Sequence, residues 1–310
     1  MGAACGGQRP APAVSPAAPA VQTAPEIRVR VAGRIVTVAL EDYVAATALS
    51  EITPVGESAE TIARMYDVQT IVARSYALAH LGRHRAEGFD LCDTTHCQLY
   101  EPARLASSRF SADARRAAAR TAGEVLTYGA SPIDALFHAD CGGHTTSPEQ
   151  VWGSTGLPYL RPEPDDVPAL THRTWSLTLT RFDLIKALDA DERTSIGDTL
   201  KSVVLADTDS SGRVSRVTIN GDRRVTLRSD DFRNAVNKRL GARAMMSTRF
   251  RMSRAANGAD YVLSGSGFGH GIGLCQVGAL ARARRGVEAS EILATYFPGA
   301  RLRTLSVKLP

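Results

Sequence analysis

The residue types that could do chemistry fall in four places along the chain. Glu51 closes LEDYVAATALSEI, where Val44, Ala48 and Glu51 follow the i, i+4, i+7 spacing of one helical face. That spacing puts the carboxylate on the apolar stripe. A carboxylate withdrawn from water is costly unless neutralised or paired, and desolvation raises its pKa toward what a general acid needs at neutral pH. The plainer reading is a helix-end residue that reaches water just before Thr53-Pro54. The second place is VQTIVARSYAL, with Gln69 inside an apolar stripe and Arg74 at its edge. A buried amide must find partners, so Gln69 either pins the loop carrying Glu51 or satisfies a neighbouring carbonyl.

The third place is DLCDTTHCQLY, followed further on by FHADCGGHT. Cys92, His96 and Cys97 are thiolate and imidazole ligands packed close in sequence, and His84, His138, Cys141 and His144 are available to complete a tetrahedral zinc site. The spacing is not a common C-x-x-C pattern, and adjacent His96 and Cys97 need an irregular loop to face one ion. A disulfide among Cys92, Cys97 and Cys141 competes with zinc, and free thiols remain open. The fourth place is SGSGFGHGIGLCQVGALA, where Gly267, Gly269, Gly271 and Gly273 alternate around His270. Glycine at that density means close backbone approach or left-handed dihedrals. No phosphate loop or dinucleotide fingerprint is completed there. Cys275 beside His270 can be drawn as a thiol and base, although a small residue opening a helix more commonly packs.

The elements that must position these groups can be read from periodicity. EIRVRV and RIVTVAL alternate around Ala32-Gly33 as a hairpin, and the Glu51 segment follows as a helix. Ile62, Met65, Tyr66, Gln69, Val72, Ala73, Tyr76 and Ala79 form one stripe of a long helix. Residues 112–122 read as helix, EVLTY and DALFHAD as a hairpin around residues 129–132, and 143–172 as loop. From 173 to 255 the pattern is β-rich, with helices at 181–189 and 230–240, and the glycine segment leads into two closing helices. Helices and hairpins alternate without a βαβ period, so the class is α+β.

The whole chain has 310 residues, 44% hydrophobic and 22% charged, which excludes wholesale disorder, collagen and coiled coil. A net charge of +5 without a basic block gives no argument for nucleic acid. No apolar run reaches the roughly 18 residues of a membrane span, and no ordinary cleavable signal is read at the amino terminus. Residues 1–26 are Ala-, Pro- and Gly-rich and read as a flexible tail. Gly-Ala-Ala-Cys at its start resembles the end of a lipoprotein signal, making Cys5 a candidate lipid anchor on a tether.

LEDYVAATALSEI, VQTIVARSYAL, LCDTTHCQLY, DCGGHT, SGRV with a later DDFR, and GFGHGIGLCQVGA with ILATYFPG occur in this order. Together they resemble the SpoIID/LytB family of bacterial cell-wall proteins across about residues 27–305. The resemblance implies an exported protein with a SpoIID-like domain over 27–310, two lobes around a glycan-binding cleft, and a β-rich insert at about 173–255. It implies a peptidoglycan lytic transglycosylase whose single carboxylate, Glu51, serves as acid and then base, acting on glycan strands stripped of stem peptides. The implied cleft is lined by Gln69, Arg74, Gly142, Gly143, His144, His270 and Gln276. A structural zinc is implied at Cys92, His96 and Cys97, with His84 as fourth ligand. Other members of the family are described as modifiers of amidases, so a non-catalytic wall-binding protein or amidase activator is the alternative. A thiol hydrolase using Cys141 or Cys275 is the third reading. Two departures from the family pattern stand out: Ile52-Thr53-Pro54 follows the glutamate where Met-Pro is usual, and Cys275 replaces the usual Ser.

Overall fold

The computed structural model describes residues 25–305. The expected tail lies outside the described residues except for Pro25 and Glu26, and so does the proposed anchor Cys5. Strands β1 (Glu26–Val31) and β2 (Arg34–Ala39) form the expected hairpin. Ala32 and Gly33 take positive φ at its tip, the geometry a two-residue turn needs. Helix α1 (Leu40–Glu51) follows directly, then α2 (Ala59–Ala79), whose Ser58 cap accepts the Thr61 N–H at 3.2 Å.

The apolar stripe understates how deeply both helices are set. Every residue of α1 from Tyr43 to Leu49 is buried, as is every residue of α2 from Val68 to Ala77. Strand β3 (Leu91–Cys92) pairs in parallel with β1, and helices α3 (Arg104–Ser107) and α4 (Ser111–Arg120) cover α1 and α2.

Strand β4 (Glu124–Tyr128) pairs with β5 (Ser131–Pro132) over two residue pairs only. The longer hairpin expected with DALFHAD is therefore corrected. Strand β6 (Phe137–His138) turns away to pair with a strand far along the chain, and β4 takes its other neighbour from the carboxyl-terminal end. Local alternation identified the strands, but tertiary pairing chose the partners. Residues 143–172 are largely irregular, with a short α5 (Pro148–Trp152) and a 3-10 turn at Ala169–Thr171.

A second hydrophobic core then forms from Trp175 to Leu263. It contains β7 (Thr174–Leu179), α6 (Arg181–Asp189), β8 (Leu200–Thr208), β9 (Val214–Gly221), β10 (Arg224–Arg228), α7 (Ser229–Leu240), β11 (Phe250–Arg254) and β12 (Tyr261–Ser266). Two three-stranded antiparallel sheets, ordered β10-β9-β8 and β11-β12-β7, build it. The chain rejoins the first core at Ile272. There β13 (Leu274–Cys275) pairs in parallel with β6, followed by α8 (Gln276–Arg284), α9 (Ala289–Tyr296) and β14 (Arg301–Thr304), which closes on β4. The class is α+β, built from several small, mostly antiparallel sheets. Among the described residues, no helix is long and apolar enough to cross a membrane.

Candidate active site and metal centre

Glu51 is the last residue of α1. The helix stops because Thr53 precedes Pro54, which disfavours helical dihedrals, and Ile52 is already extended. Three hydrogen bonds tie this helix end to the segment 99–104. The Leu99 N–H donates to Glu51 Oε1 at 3.2 Å, the Glu101 N–H to Ser50 Oγ at 3.0 Å, and Arg104 Nη1 to the Leu49 carbonyl at 3.1 Å. Burial pushes the Glu51 carboxyl up to about 7, against the Leu99 hydrogen bond, and the charge of Glu101 adds to the rise. The carbonyl-rich end of α1 acts in the same direction. Among the described residues no basic side chain forms an ion pair with Glu51. Glu101, the neighbouring acid, is exposed and paired with Arg104. A carboxyl that keeps its proton to about neutral pH, without a cation beside it, can deliver that proton to a bound substrate.

The segment gripping Glu51 begins in the cysteine and histidine cluster. Donor atoms of His84, Cys92, His96 and Cys97 all lie within 4.8 Å of one another. Cys97 Sγ is 3.5 Å from His84 Nε2, and His96 Nδ1 is 3.7 Å from both sulfurs. A tetrahedral zinc with ordinary bond lengths separates a sulfur from an imidazole nitrogen by about 3.6 Å. The donor set and its spacing therefore fit zinc. The other His84 nitrogen, Nδ1, lies 2.6 Å from Glu87 Oε1, the outer carboxylate that commonly orients a metal-binding imidazole. Glu87 was not anticipated, although its place three residues after His84 was available as a signal. Cys97 is two residues before Leu99, so the cluster anchors the strap that holds Glu51.

The residues expected to line a cleft are placed unevenly. Gln69 is fully buried in α2, and its Oε1 accepts from Gln276 Nε2 at 3.3 Å, so these two meet each other. Its Nε2 has no partner among the described residues. Arg74 is a correction: it is fully buried and forks onto both carboxylate oxygens of Glu41. Its remaining donors reach the Ala118 carbonyl at 3.2 Å and the Glu124 carbonyl at 3.1 Å. It braces α1, α2 and the α4–β4 connection, leaving no donor for a ligand.

Gly142 and Gly143 both have positive φ, and a Cβ on Gly142 would meet the Ser266 backbone at 3.0 Å. At Gly271 the close neighbour is the buried Arg213 guanidinium. At Gly142 and Gly271 protein atoms fill the space beside the glycine backbone. His144 is half-buried, with Nδ1 2.6 Å from the Thr145 carbonyl.

His270 is held neutral, its pKa pushed down to about 3 by burial and by Arg213 and Arg233. Its Nδ1 accepts the Ile272 N–H at 3.0 Å, which leaves Nε2 as the donor. Trp152, which the sequence reading passed over within a loop-like stretch, packs on it at 5.4 Å between ring centres and is partly exposed.

Cys141 is grouped with Cys275 and not with Cys92 and Cys97, which corrects a disulfide joining Cys141 to either of those two. Cys141 and Cys275 are fully buried, and the Cys141 thiol donates to Asp165 Oδ2 at 3.3 Å. Burial also pushes the Cys275 thiol well above its usual range. Thiols with no exposed surface cannot reach a substrate, so a thiol hydrolase loses its basis. A cavity of about 390 Å³ lies between α6, α7 and β10, and its acids Asp191 and Asp231 are paired with Arg193 and Arg228.

Fold and site together define an α+β protein with a proton-retaining carboxyl at the end of a buried helix, braced by a two-cysteine, two-histidine centre. A sequence model of the family described as Stage II sporulation protein (SpoIID) matches residues 30–128, which contain both features. Over that segment the chain is similar to the SpoIID family. A second model, a domain of unknown function (DUF8618), matches residues 171–273.

The chain is 29% identical to an uncharacterized protein of Brachyspira hyodysenteriae over 84% of its own length and 65% of that protein's. It is 27% identical to an amidase enhancer of Bacillus subtilis, over 76% of this chain and 37% of that one. Identity is also 27% to a stage II sporulation protein D of Bacillus amyloliquefaciens, over 84% and 73% respectively.

Proposed function

We propose that this protein is an exported peptidoglycan lytic transglycosylase with Glu51 as its acid and base. The observation that carries the reading is the state of Glu51: partly buried, without a basic partner, and protonated up to about pH 7. The protonated carboxyl gives its proton to the glycosidic oxygen between N-acetylmuramic acid and N-acetylglucosamine as that bond breaks through an oxocarbenium-like transition state. The resulting carboxylate takes the proton of the muramic C6 hydroxyl as its oxygen closes onto C1. The products are a 1,6-anhydro end and a free glucosamine 4-hydroxyl, with no water consumed. One carboxylate serves both steps, which agrees with the neighbouring Glu101 being occupied by Arg104.

In this reading the glycan strand, stripped of stem peptides, lies in a cleft between two lobes. Trp152, packed on neutral His270, offers a flat apolar face to a sugar, and Gln276, held by the buried Gln69, offers an amide. Zinc at His84, Cys92, His96 and Cys97 supplies structural cross-linking, holding the strap that positions Glu51. Lipid attachment at Cys5 would tether the enzyme to a membrane.

The match to an amidase enhancer favours a second reading, a wall-bound activator of an amidase without catalysis of its own. Mass spectrometry of digested glycan strands separates the two. Anhydromuramyl ends support the transglycosylase, reducing ends indicate a hydrolase, and intact strands with increased activity of an added amidase support the activator.

A further inference from the structure

We propose that Cys141 and Cys275 form a disulfide that staples the neck through which the chain leaves and re-enters the first core. The two residues are 134 positions apart, yet the Cys141 N–H donates to Cys275 Sγ at 3.2 Å and the sulfurs lie within 4.8 Å of each other. Cys141 opens the Gly142-Gly143 turn from which the chain departs. Cys275 stands in β13, the strand on which it returns, opposite His138 of β6. Asp140 bridges to Phe268 across the same neck. The whole second core lies in the loop this bond would close.

The surroundings separate this pair from the zinc-fitting pair. Cys92 and Cys97 each have an imidazole nitrogen at 3.5 to 3.7 Å. Beside Cys141 and Cys275, His172 is held through Nδ1 by Asp140 at 2.7 Å while its Nε2 has no partner among the described residues, and the Asp140 oxygens also accept the Gly142 and Arg173 N–H groups. Two guanidiniums crowd the site as well: Arg213 Nη2 donates to the Cys141 carbonyl at 2.9 Å, and Arg282 Nη1 to Asp165 at 2.6 Å. A cation would find its carboxylate occupied and two positive groups nearby, whereas a disulfide is neutral. Oxidation also orphans no polar group. Asp165 loses the Cys141 thiol but keeps Arg282 and the Tyr296 hydroxyl, and Cys275 Sγ still faces the Cys141 and Gly278 N–H groups.

The bond forms by thiol–disulfide exchange with a small-molecule or protein disulfide. One cysteine, as thiolate, attacks that disulfide and expels one thiol. The second attacks the mixed disulfide and expels the other, so two protein thiols become one disulfide while the oxidant gains two thiols. Full burial requires this to happen during folding, before the neck closes.

The test is to refold denatured, reduced protein with zinc in a buffer of oxidised and reduced glutathione. Free thiols are then alkylated in denaturant and the protein is digested without reductant for mass spectrometry. The expected result is one linked peptide pair carrying Cys141 and Cys275, lost on reduction, with Cys275 alkylated in the Cys141→Ser protein. The linked form should melt on the order of 10 °C above the same protein refolded without oxidant, and the double Cys141→Ser, Cys275→Ser protein should show no such dependence. Alkylation of both residues in the parent, or a bond joining either to Cys92 or Cys97, overturns the proposal.

Discussion

Replacing Glu51 with Gln should stabilise the fold, and by an amount that depends on pH. The carboxyl rises from an ordinary 4.5 to about 7 on folding. Between those values the folded state holds a proton that the unfolded state releases, so rising pH through this window favours unfolding. At pH 4 the group is protonated in both states and contributes nothing. Above about pH 7 the penalty is complete, and at 1.36 kcal/mol per pK unit it reaches about 3 kcal/mol. That is an upper figure, because the side chain is partly exposed and water relieves some of the charge. The substituted amide keeps an acceptor for the Leu99 N–H and never ionises. Urea unfolding of parent and Glu51→Gln at pH 4, 6 and 8 should show equal stability at pH 4 and a growing advantage for the variant toward pH 8. A pH-independent difference, or a variant less stable at pH 8, would refute the claim that Glu51 is held uncharged by burial.

Metal analysis should find one zinc per chain and well under half of that in Cys97→Ser or His84→Ala, with chelation lowering the melting temperature and speeding amide exchange at Leu99; metal-free protein with unchanged melting would oppose the assignment. Arg74→Met leaves Glu41 without its partner and should lose roughly 3 kcal/mol in urea unfolding while the folded fraction binds glycan as before; weakened binding without lost stability would return Arg74 to the substrate site. Trp152→Ala should weaken retention on immobilised glycan strands at nearly unchanged melting temperature, and unchanged retention would remove the aromatic face from the site.

The elements around the site were legible because their signals are local. The Ala32-Gly33 turn, the helical spacing ending at Glu51, and the long α2 stripe depend on residues within a few positions of one another. The zinc-fitting group was also legible, since three of its four donors sit in one loop. Partners set by distant chain segments were not legible. β4 pairs with β14, and Cys141 meets Cys275, through contacts that no short pattern encodes. Arg74 misled for a related reason: a charged residue at the edge of a helical stripe suggests an exposed rim, but α2 is covered on all sides along that stretch, and Glu41 on the preceding helix takes the guanidinium. The glycines around His270 announced close approach correctly. Sequence could not say that the approaching atoms at Gly142 and Gly271 belong to Ser266 and Arg213.

The central claim is that Glu51 carries the reaction. The most direct measurement incubates the purified protein and its Glu51→Gln variant, each verified as folded, with glycan strands freed of stem peptides, and reads the ends by mass spectrometry. The account predicts 1,6-anhydromuramyl ends from the parent and none from the variant. Equal cleavage by both proteins, or no cleavage by the parent, would contradict it.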